Sequence, residues 1–425
     1  MQENKIKTIL KKPLEKLPFY NDLALPYHWA QAVIATTKYH HPAKNLKVIG
    51  VTGTNGKTTT CFMIWHMLNQ AGLKTGLMTT VAHGITKLQP ELGHMTTVDA
   101  DTLNQRIGQI ANSGAKYLVL EVTSHALAEF RTLGIPIEIA VFTNLTHDHL
   151  DYHKTFTNYR AAKGKLFKHA KFSILNADDP NFKYYQNLSR EFTTYGIQHG
   201  DHRATNIQLK TTGIKYSLGD IKIETNIPGE FNVYNSLAAC LVGQKLGLTN
   251  QQIEQGLKSL KNVEGRMNLI DVGQPFTVIV DYAHAPDALE KVFESVKTHK
   301  GKIISVHGGA GRRDPSTRAI RGRILAKYSD IVIITEDDSR DEDPEKIAVN
   351  FLKGATEQGK IEGKNLFKEL DREKAIELAF TKAKKGDLVL ILGKGHEKTI
   401  LRADGPHDFE DAKVAKKLLQ KYSKS

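Results

Sequence analysis

The chain has 425 residues, of which 40% are apolar and 25% charged, so a globally disordered chain is excluded. Lysine and arginine number 59 against 46 acidic residues, and the formal net charge of +13 indicates anionic partners. Two cysteines, Cys61 and Cys240, are too few for a disulfide scaffold or a four-cysteine zinc site. No apolar run approaches the ~20 residues of a membrane-spanning helix, and the N-terminus lacks a signal-peptide core. We therefore expect a basic globular protein in the cytoplasm.

Short apolar runs alternate with helical patterns from about Lys47 onward, which is typical of βαβ units and a largely parallel sheet. The first 46 residues are predicted to be helical and are too few for a full domain. Residues 205–225 alternate in polarity and turn at Gly219, which predicts an antiparallel insertion. A domain boundary is expected near 261–265, because a new series of βαβ units begins after it. The predicted strands are 48–51, 117–122, 139–144, 276–281, 303–306, 331–335 and 388–392.

A glycine-rich loop follows the first predicted strand, with glycines at 50, 53 and 56. It leads into Lys57 and Thr58 and then into a predicted helix that ends at Gly72. Such a loop lets backbone N–H groups close on phosphate oxygens at a helix N-terminus. Lys57 would reach the β- and γ-phosphates, and the Thr58 hydroxyl would bind Mg²⁺. The strict phosphate-loop motif has four residues between Gly50 and the Gly-Lys pair, whereas this chain has five.

Candidate metal ligands stand at the ends of the next strands. Glu121 ends an apolar strand, where open α/β sheets place their ligands. A histidine-rich loop at 146–153 follows the next strand, and its His147, His149 and Asp151 suggest a metal-hydrolase cluster. That motif requires histidine at 152, where this chain has Tyr152. The other interpretations are a Mg²⁺ site formed by Glu121 and His149 beside the nucleotide, or a solvated loop.

Lys163 lies on the apolar stripe of a helix predicted over 156–170. Tyr159, Leu166 and Phe167 are spaced to share its face. A charged amine on that face costs free energy unless it is paired or chemically altered. The alternative is a lysine that extends past the stripe to reach solvent.

Three loops in the carboxy-terminal half follow predicted strands and carry candidate functional residues. Residues 307–314 are rich in glycine and arginine and are followed by Arg318, Arg321 and Arg323. No aromatic residue that could stack on bases lies among them, so an anion-binding loop is favoured over a nucleic-acid patch. Residues 335–344 form an acidic loop with one arginine, which is either a site or a solvated charge run. Residues 393–397 end the last strand, and Glu397 could hold an ammonium group.

The motifs, taken together and in this order, resemble the Mur ligases. The match is closest to the ligases that add the third amino acid of the peptidoglycan stem peptide, and it runs from about Lys47 to the C-terminus. The motifs are Gly-Thr-Asn-Gly-Lys-Thr-Thr (53–59), Glu-Val-Thr-Ser-His-Ala-Leu (121–127), Thr-Asn-Leu-Thr-His-Asp-His-Leu-Asp-Tyr-His (143–153), Gly-Glu-Phe-Asn-Val-Tyr-Asn (229–235), Asp-Tyr-Ala-His-Ala-Pro-Asp (281–287) and Gly-Lys-Gly-His-Glu (393–397).

The resemblance implies an α/β fold, with a central parallel-sheet ATPase domain of the phosphate-loop type followed by a Rossmann-like domain. It places the domains at 1–46 (a short helical remnant of a uracil-binding domain), 47–262 and 263–425. In this family ATP phosphorylates a substrate carboxylate, and an incoming amine attacks the acyl phosphate to form an amide. We therefore expect ATP, Mg²⁺, a UDP-muramoyl peptide and an amino acid as ligands, no nucleic-acid partner and a monomer.

The resemblance also assigns roles by position. The ATP loop is Gly53, Thr54, Asn55, Gly56, Lys57, Thr58 and Thr59. Catalysis and Mg²⁺ binding fall to Lys57, Thr58, Glu121, His149 and Lys163, the last matching a lysine that the family carbamylates. The other nucleotide contacts are Asn235, Arg266, Asp281 and His284. The muramoyl dipeptide would contact Thr96, Thr97, Ser124 and Arg131. The incoming amino acid would contact Arg313, Asp337, Asp338, Arg340, Gly393 and Glu397.

Two departures from the family pattern bear on the substrates. Ligases for meso-diaminopimelate usually carry Asp-Asn-Pro-Arg where this chain has Asp337-Asp338-Ser339-Arg340. Arg340 favours the second carboxylate of diaminopimelate, whereas the extra charge of Asp338 favours the ammonium group of lysine; we expect diaminopimelate. Only the last helix of the uracil-binding domain is matched, at about 25–39, so the donor could be a truncated muramoyl peptide or another carboxylate.

Two other kinds of protein are considered. A folylpolyglutamate synthase also lacks the uracil-binding domain, but the Thr-Thr-Thr after Lys57 replaces the Gly-Ser typical there. A nucleic-acid-stimulated ATPase with a phosphate loop is the alternative from a different class.

Overall fold

The computed structural model describes residues 20–91, 96–210 and 212–421. The chain divides into two compact units. The first contains the described residues up to Arg203 together with Asn235–Ile253, and the second contains Ala204–Tyr234 and the described residues from Glu254 onward. The first unit is therefore interrupted in sequence by a segment of the second. The division at 1–46, 47–262 and 263–425 stays a prediction.

The first unit alternates strands and helices. Its helices are α1 (Tyr20–Lys38), α2 (Lys57–Gln70), α3 (Ala100–Asn112), α4 (Ser124–Ala128), α5 (Leu150–His153), α6 (Phe156–His169) and α7 (Phe182–Gln186). Its strands are β1 (Lys47–Thr52), β2 (Thr75–Met78), β3 (Ala82–Gly84), β4 (Leu88–Pro90), β5 (Tyr117–Glu121), β6 (Ile137–Phe142), β7 (Phe172–Asn176), β8 (Phe192–Gly196) and β9 (His202–Arg203).

These strands form one sheet in the order β4-β3-β2-β5-β1-β6-β7-β8-β9. The strands from β2 to β9 in this order run parallel, and β3 and β4 add an antiparallel edge. Strand β1 lies between β5 and β6, with Val51 paired to Glu121 and Thr52 paired to Phe142. The carboxyl ends of these three strands therefore meet at one edge, where the phosphate loop begins.

The second unit contains a parallel sheet and a small antiparallel one. Its strands are β10 (Thr205–Lys210), β11 (Gly213–Leu218), β12 (Ile221–Thr225), β13 (Asn268–Ile270), β14 (Thr277–Asp281), β15 (Ile303–Gly309), β16 (Ile331–Glu336), β17 (Leu366–Lys368), β18 (Leu388–Leu392), β19 (Thr399–Arg402) and β20 (Gly405–Asp408). Residues of both units contribute to α8 (Phe231–Lys245) and α9 (Asn250–Ser259). The remaining helices are α10 (Pro286–Ser295), α11 (Ser316–Tyr328), α12 (Pro344–Thr356), α13 (Arg372–Lys382) and α14 (Asp411–Leu419).

The larger sheet of the second unit has the order β13-β14-β18-β15-β16-β17, and only β13 runs antiparallel to its neighbour. The carboxyl ends of β14, β15, β16 and β18 therefore lie along one edge. The loops that carry the candidate residues of this half follow those four strands. Strands β10, β11 and β12 form the separate antiparallel sheet.

Apolar strands explain why both large sheets are covered on both faces. In β18 all five residues are buried, as are the five residues of β1 after Lys47. A strand whose side chains are apolar on both faces of the sheet needs helices packed on each face, as in parallel sheets. In the second unit, Val280, Val306 and Ile391 belong to one buried cluster with Ala375 and Phe380 of α13.

The sequence-predicted elements are largely confirmed. All seven predicted strands are present, and the predicted antiparallel insertion is the sheet of β10, β11 and β12, with Gly219 at the turn. The helical prediction for the N-terminus is confirmed at Tyr20–Lys38 and is wrong for 39–46, which form turns and a bend. For 1–19 it lies outside the described residues. Among the described ranges, no helix combines the length and apolar content needed to cross a bilayer.

Candidate active site

The phosphate loop connects β1 to α2 and requires glycine at two places. Gly56 is the N-cap of α2 with a φ of 84°, a left-handed conformation that residues with a Cβ rarely adopt. A Cβ there would also collide with Oδ1 of Asn235. A Cβ at Gly53 would collide with Oγ1 of Thr143. The loop is therefore tightly enclosed and ends at the N-terminus of a helix, where backbone N–H groups can bind an anion.

The loop after β6 holds the phosphate loop in place. Asn144 accepts a hydrogen bond from the Asn55 N–H through Oδ1 (3.0 Å) and donates one to the Asn55 carbonyl through Nδ2 (3.0 Å). The Asn144 carbonyl accepts from the Thr54 N–H (2.8 Å), and Thr54 Oγ1 accepts from the Thr146 N–H (2.9 Å). The motif 143–153 predicted a functional loop here, but the role of Asn144 was not recognised from the sequence.

Lys57 folds back over its own loop. Its Nζ donates to the carbonyls of Gly53 (3.1 Å) and Thr54 (2.9 Å). The ammonium is thus held among the loop carbonyls, next to the backbone N–H groups that would receive phosphate oxygens.

Thr58 and Glu121 meet at the edge of the sheet as the sequence predicts. Thr58 Oγ1 lies 3.1 Å from Oε1 and 3.0 Å from Oε2 of Glu121, and both residues are buried. The Thr80 N–H donates to the same carboxylate at 3.0 Å. A hydroxyl and a carboxylate are oxygen ligands that Mg²⁺ prefers, so this donor pair fits a Mg²⁺ ion beside the phosphates.

Lys163 of α6 reaches the phosphate loop from the other side. It is 1% exposed, and its Nζ donates to the Gly53 carbonyl at 2.7 Å and lies 4.7 Å from the Tyr159 ring centre. Burial lowers the pKa of Lys163 well below its usual value, and the positive charge of Lys57 lowers it further. The lysine does not reach past the stripe to solvent, so that interpretation is wrong. The side chain is a buried amine that favours its neutral form.

His149 precedes α5 with a φ of 53°, and its side chain is 44% exposed. Its ring lies 4.8 Å from that of His125 and 6.1 Å from that of Tyr159, whose hydroxyl is 3.1 Å from Thr54 Oγ1. His147 instead stacks on Phe156, with ring centres 4.8 Å apart. The two histidines have different surroundings and the side chain of Asp151 is not described, so the metal-hydrolase interpretation gains no support.

The residues predicted to hold the muramoyl dipeptide also lie near Glu121. Thr97 Oγ1 donates to the Glu121 carbonyl at 3.0 Å, and Arg131 donates to the Thr97 carbonyl. Ser124 begins α4, with its hydroxyl 2.9 Å from Nε2 of His153. Thr96 lines a small cavity together with Thr97. Hydroxyl groups and a guanidinium thus gather beside the metal ligands.

Asn235 is the predicted nucleotide contact that belongs to the first unit. Its Oδ1 accepts from Thr60 Oγ1 at 3.2 Å, and it packs against Gly56. Thr59, in the same first turn of α2, is buried. The first unit therefore brings all of its predicted ATP residues around one helix N-terminus.

The remaining predicted nucleotide contacts cluster after β14 in the second unit. Asp281 accepts from the backbone N–H groups of Met267 (2.6 Å) and Ala283 (2.8 Å), and burial raises the pKa of its carboxyl. The Arg266 guanidinium lies 4.7 Å from the Tyr282 ring centre. The His284 ring lies 4.6 Å from the same ring, so an aromatic platform flanked by cationic and imidazole groups forms at this strand end.

The first part of the acidic loop after β16 is buried and its second part, from Asp341, is more exposed, so the interpretation of the whole loop as a solvated charge run is wrong. Asp337 and Asp338 are 6% and 4% exposed. Their carboxylates accept from Nζ of Lys394 at 3.2 and 2.8 Å, and Glu397 accepts from the same Nζ at 2.8 Å. The ammonium predicted for Glu397 is thus partly supplied by the chain itself. Lys394 was quoted in the last motif, but no role was assigned to it.

Gly393 and the arginines complete this cluster. Gly393 has a φ of 112°, and a Cβ there would lie 3.1 Å from Oδ2 of Asp337. Arg340 Nη1 donates to the Gly311 carbonyl at 3.0 Å, and Arg313 is exposed on the neighbouring loop.

The other arginines do not form an open basic surface. Arg318 is buried and pairs with both carboxylate oxygens of Glu342 (2.5 and 2.8 Å), and Arg323 pairs with Glu357 (2.6 Å). Arg321 is also buried and donates to the His284 carbonyl at 3.1 Å.

Fold and site together define an ATP-dependent enzyme with a parallel-sheet ATPase domain of the phosphate-loop type and a Rossmann-like domain. Residues 51–243 match the model of the Mur ligase middle domain, and residues 265–395 match that of the Mur ligase glutamate ligase domain. The chain belongs to the Mur ligase family. Its members are ATP-dependent, ADP-forming amide-bond ligases that use Mg²⁺, and the chain is such a ligase.

Named relatives agree with this assignment. The UDP-N-acetylmuramoyl-L-alanyl-D-glutamate–2,6-diaminopimelate ligase 1 of Clostridium acetobutylicum is 37% identical over 402 residues, which cover 92% of this chain and 82% of the relative. The ligase of that name from Aquifex aeolicus is 41% identical over 386 residues, with coverages of 89% and 78%. A solved structure of a ligase of that name is 30% identical, has a TM-score of 0.66, and is matched over 94% of this chain and 83% of its own.

Proposed function

We propose that this enzyme adds meso-diaminopimelate to UDP-N-acetylmuramoyl-L-alanyl-D-glutamate, the third amino-acid step of peptidoglycan synthesis, as its named relatives do. The observation that carries the proposal is the meeting of three separate motifs at one loop. Thr58 bonds to Glu121, and Lys163 bonds to the Gly53 carbonyl. Phosphate, metal and modified-lysine roles require these side chains to lie together.

The reaction would begin at the phosphate loop. The dipeptide carboxylate attacks the γ-phosphorus of ATP, and the bond from that phosphorus to the leaving oxygen of ADP breaks. Lys57 and the N–H groups at the start of α2 would stabilise the negative charge on the transferring group. Thr58, Glu121 and His149 would hold Mg²⁺, which supplies positive charge beside the phosphates when bound. Thr96, Thr97, Ser124 and Arg131 would orient the dipeptide.

Amide formation completes the reaction. The neutral amine of diaminopimelate attacks the acyl-phosphate carbon, its nitrogen gives up one proton to solvent, and the tetrahedral intermediate collapses with breakage of the bond from carbon to the phosphate oxygen, so that phosphate leaves. Arg313, Arg340, Gly393 and Glu397 would hold the amino acid, with Asp337 and Asp338 shaping its site. Asn235, Arg266, Asp281 and His284 would contact the nucleotide.

Carbamylation of Lys163 belongs to the proposal. A neutral amine attacks CO₂ and loses one proton, which leaves an anionic carbamate. The buried Lys163 amine has its pKa lowered by burial and by Lys57, so its neutral form is available for that reaction. The product would replace a buried amine near Glu121 with an oxygen ligand for Mg²⁺.

The choice of amino acid follows from the charges around Asp338. Its Oδ1 accepts from Lys394 Nζ (2.8 Å) and from the Leu401 N–H (3.0 Å), so this carboxylate already has a cationic partner and a backbone donor within the chain. The argument for a lysine substrate based on this extra charge is thereby weakened. Arg340 remains as the partner for a second carboxylate, which favours diaminopimelate.

We further propose that the enzyme works as a monomer in the cytoplasm. Its buried thiols Cys61 and Cys240 suit a reducing compartment. Size-exclusion chromatography with light scattering tests the monomeric state, and a molar mass equal to two copies of the chain would refute it.

Phosphate release with purified enzyme, ATP and Mg²⁺ tests the function. UDP-muramoyl dipeptide is supplied with meso-diaminopimelate, with lysine or with neither, and a muramoyl dipeptide without uridine is compared as donor. We expect turnover with diaminopimelate at least tenfold above that with lysine. Arg340→Lys should reduce this preference, because a single ammonium cannot match the guanidinium fork. Release that requires neither amino acid, or that DNA or RNA stimulates instead, would refute the proposal.

A further inference from the structure

Lys394 is a fully buried lysine in the loop after β18. Its side chain is 0% exposed, and its Nζ pairs with Asp337 (3.2 Å), Asp338 (2.8 Å) and Glu397 (2.8 Å). Oxygen atoms of these three carboxylates all lie within 4.8 Å of one another. The carboxylates therefore have the spacing of a cation site, and a lysine of the same chain contacts all three.

The charges of this cluster do not balance. Three carboxylates face one ammonium group. Arg321 and Arg372 also act electrostatically on Asp337, but Arg321 donates to the His284 carbonyl (3.1 Å), and the Arg372 guanidinium of α13 already forms a two-bond pair with Asp411 (2.7 Å for each bond). One ammonium among three carboxylates leaves the cluster able to accept further positive charge.

The cluster also fixes the loop that carries Arg340. Asp338 Oδ1, which accepts from Lys394, also accepts from the Leu401 N–H at 3.0 Å. The Leu401 carbonyl in turn accepts from the Arg340 N–H at 2.8 Å. Lys394 is thus connected to the position of the Arg340 guanidinium by a short chain of hydrogen bonds.

We propose that Lys394 is a positioning residue for the incoming amino acid: its ammonium is the permanent counter-ion of the Asp337, Asp338 and Glu397 cluster, which retains capacity for one ammonium group of the substrate. The inference rests on the proposed function, because that reaction supplies an amino acid with ammonium groups. A divalent metal ion is the competing occupant. It would have to displace a lysine that already contacts all three carboxylates.

Lys394→Met and Lys394→Ala in the full chain test the proposal. The methionine keeps most of the buried volume and removes the charge, and the alanine leaves room for a small amine. Loss of a charged contact predicts a KM for diaminopimelate raised by about 30-fold, equivalent to about 2 kcal/mol. The KM values for ATP and for the muramoyl dipeptide should stay within about threefold of those of the unchanged enzyme, because the substitutions do not alter the phosphate loop. Ethylammonium should partly restore the alanine variant, whereas tetramethylammonium, which has no N–H, should not.

Lys398→Ala is the matched control, because this lysine lies on the same loop and pairs with Glu264 and Glu410 outside the cluster. It should leave the KM for diaminopimelate unchanged. An unchanged KM in both Lys394 variants would overturn the proposal. An equal loss for all three substrates without amine rescue would also overturn it, since that pattern indicates a structural role alone.

A second readout does not depend on turnover. Ethylammonium should raise the thermal unfolding midpoint of Lys394→Ala by more than that of the unchanged enzyme, whereas tetramethylammonium should raise neither. If Mg²⁺ or Mn²⁺ alone stabilised the unchanged enzyme through these carboxylates, the counter-ion role would be refuted. Absence of turnover by the unchanged enzyme would refute the proposed function, and the amine-dependent midpoint would still decide the counter-ion role.

Discussion

Lys163→Ala is the substitution that tests the active site most directly. Lys163 is 1% exposed, bonds to the Gly53 carbonyl at 2.7 Å and lies 4.7 Å from the Tyr159 ring centre. The change removes an amine from a place where α6 meets the phosphate loop. If the amine is carbamylated, the change also removes an oxygen ligand of Mg²⁺.

The expected losses of stability and of activity differ in size. Alanine lacks three buried methylene groups, which at ~0.8 kcal/mol each represent about 2 kcal/mol of the free energy of unfolding. The lost hydrogen bond adds about 1 kcal/mol, and release of a buried amine offsets part of both. Loss of one preorganised charged group around a reacting phosphoryl group lowers kcat by about 10²–10³-fold. That loss corresponds to about 3–4 kcal/mol of activation free energy, somewhat more than the net loss of stability, so activity should be lost in an enzyme that remains folded.

The assay is phosphate release by Lys163→Ala, titrated with formate and acetate. Short carboxylates should restore part of kcat, because they can enter the space left by a carbamate and present the same oxygens. Lys165→Ala is the control, since Lys165 lies on the same helix and bonds to the Leu127 carbonyl instead (3.2 Å). A folded Lys163→Ala enzyme with kcat within about threefold of the original, or with no response to either acid, would show that the lysine is no metal ligand.

Three further outcomes are expected. Glu121→Gln should raise the Mg²⁺ concentration for half-maximal activity by about 10–100-fold through loss of the carboxylate beside Thr58, and an unchanged Mg²⁺ titration would contradict the metal role. Gly56→Ala should abolish ATP binding in calorimetry, because its φ of 84° and the neighbouring Asn235 exclude a Cβ; wild-type affinity would show that the loop can rearrange. Burial raises the pKa of Glu397 to about 7, so it is protonated below that pH, and kcat/KM for the amino acid should fall as the pH drops through 7. Glu397→Gln should remove that pH dependence. If kcat/KM of this variant still falls as the pH drops through 7, a group other than Glu397 is responsible.

The sequence was sufficient for features that depend on local pattern. Strands such as β18 are apolar at every position, and glycine spacing together with Lys57 and Thr58 identifies the phosphate loop. Helical periodicity also placed Lys163 on an apolar face, because its neighbours at three and four positions are apolar, although it left open whether the amine extends to solvent. These predictions succeed because the relevant residues lie within a few turns of one another.

Features that depend on distant partners were not predicted. The acidic loop was open to interpretation as solvated, because its counter-ion, Lys394, lies 56 positions beyond Asp338. The Asn144 bonds to Asn55 join residues 89 positions apart. A local pattern gives the charge and polarity of such side chains, whereas the sheet order determines which of them meet.

The interrupted first unit has a practical consequence for anyone who wants to express the ATP-binding half alone. Truncation near Arg203 would discard Asn235, which packs against Gly56, while truncation near Ile253 would retain Ala204–Tyr234. That segment depends on later residues: Asn226 bonds to the Lys258 carbonyl (2.8 Å). A stand-alone version would need Ala204–Tyr234 excised and the flanking ends rejoined by a short linker, with calorimetric ATP binding as the criterion of success.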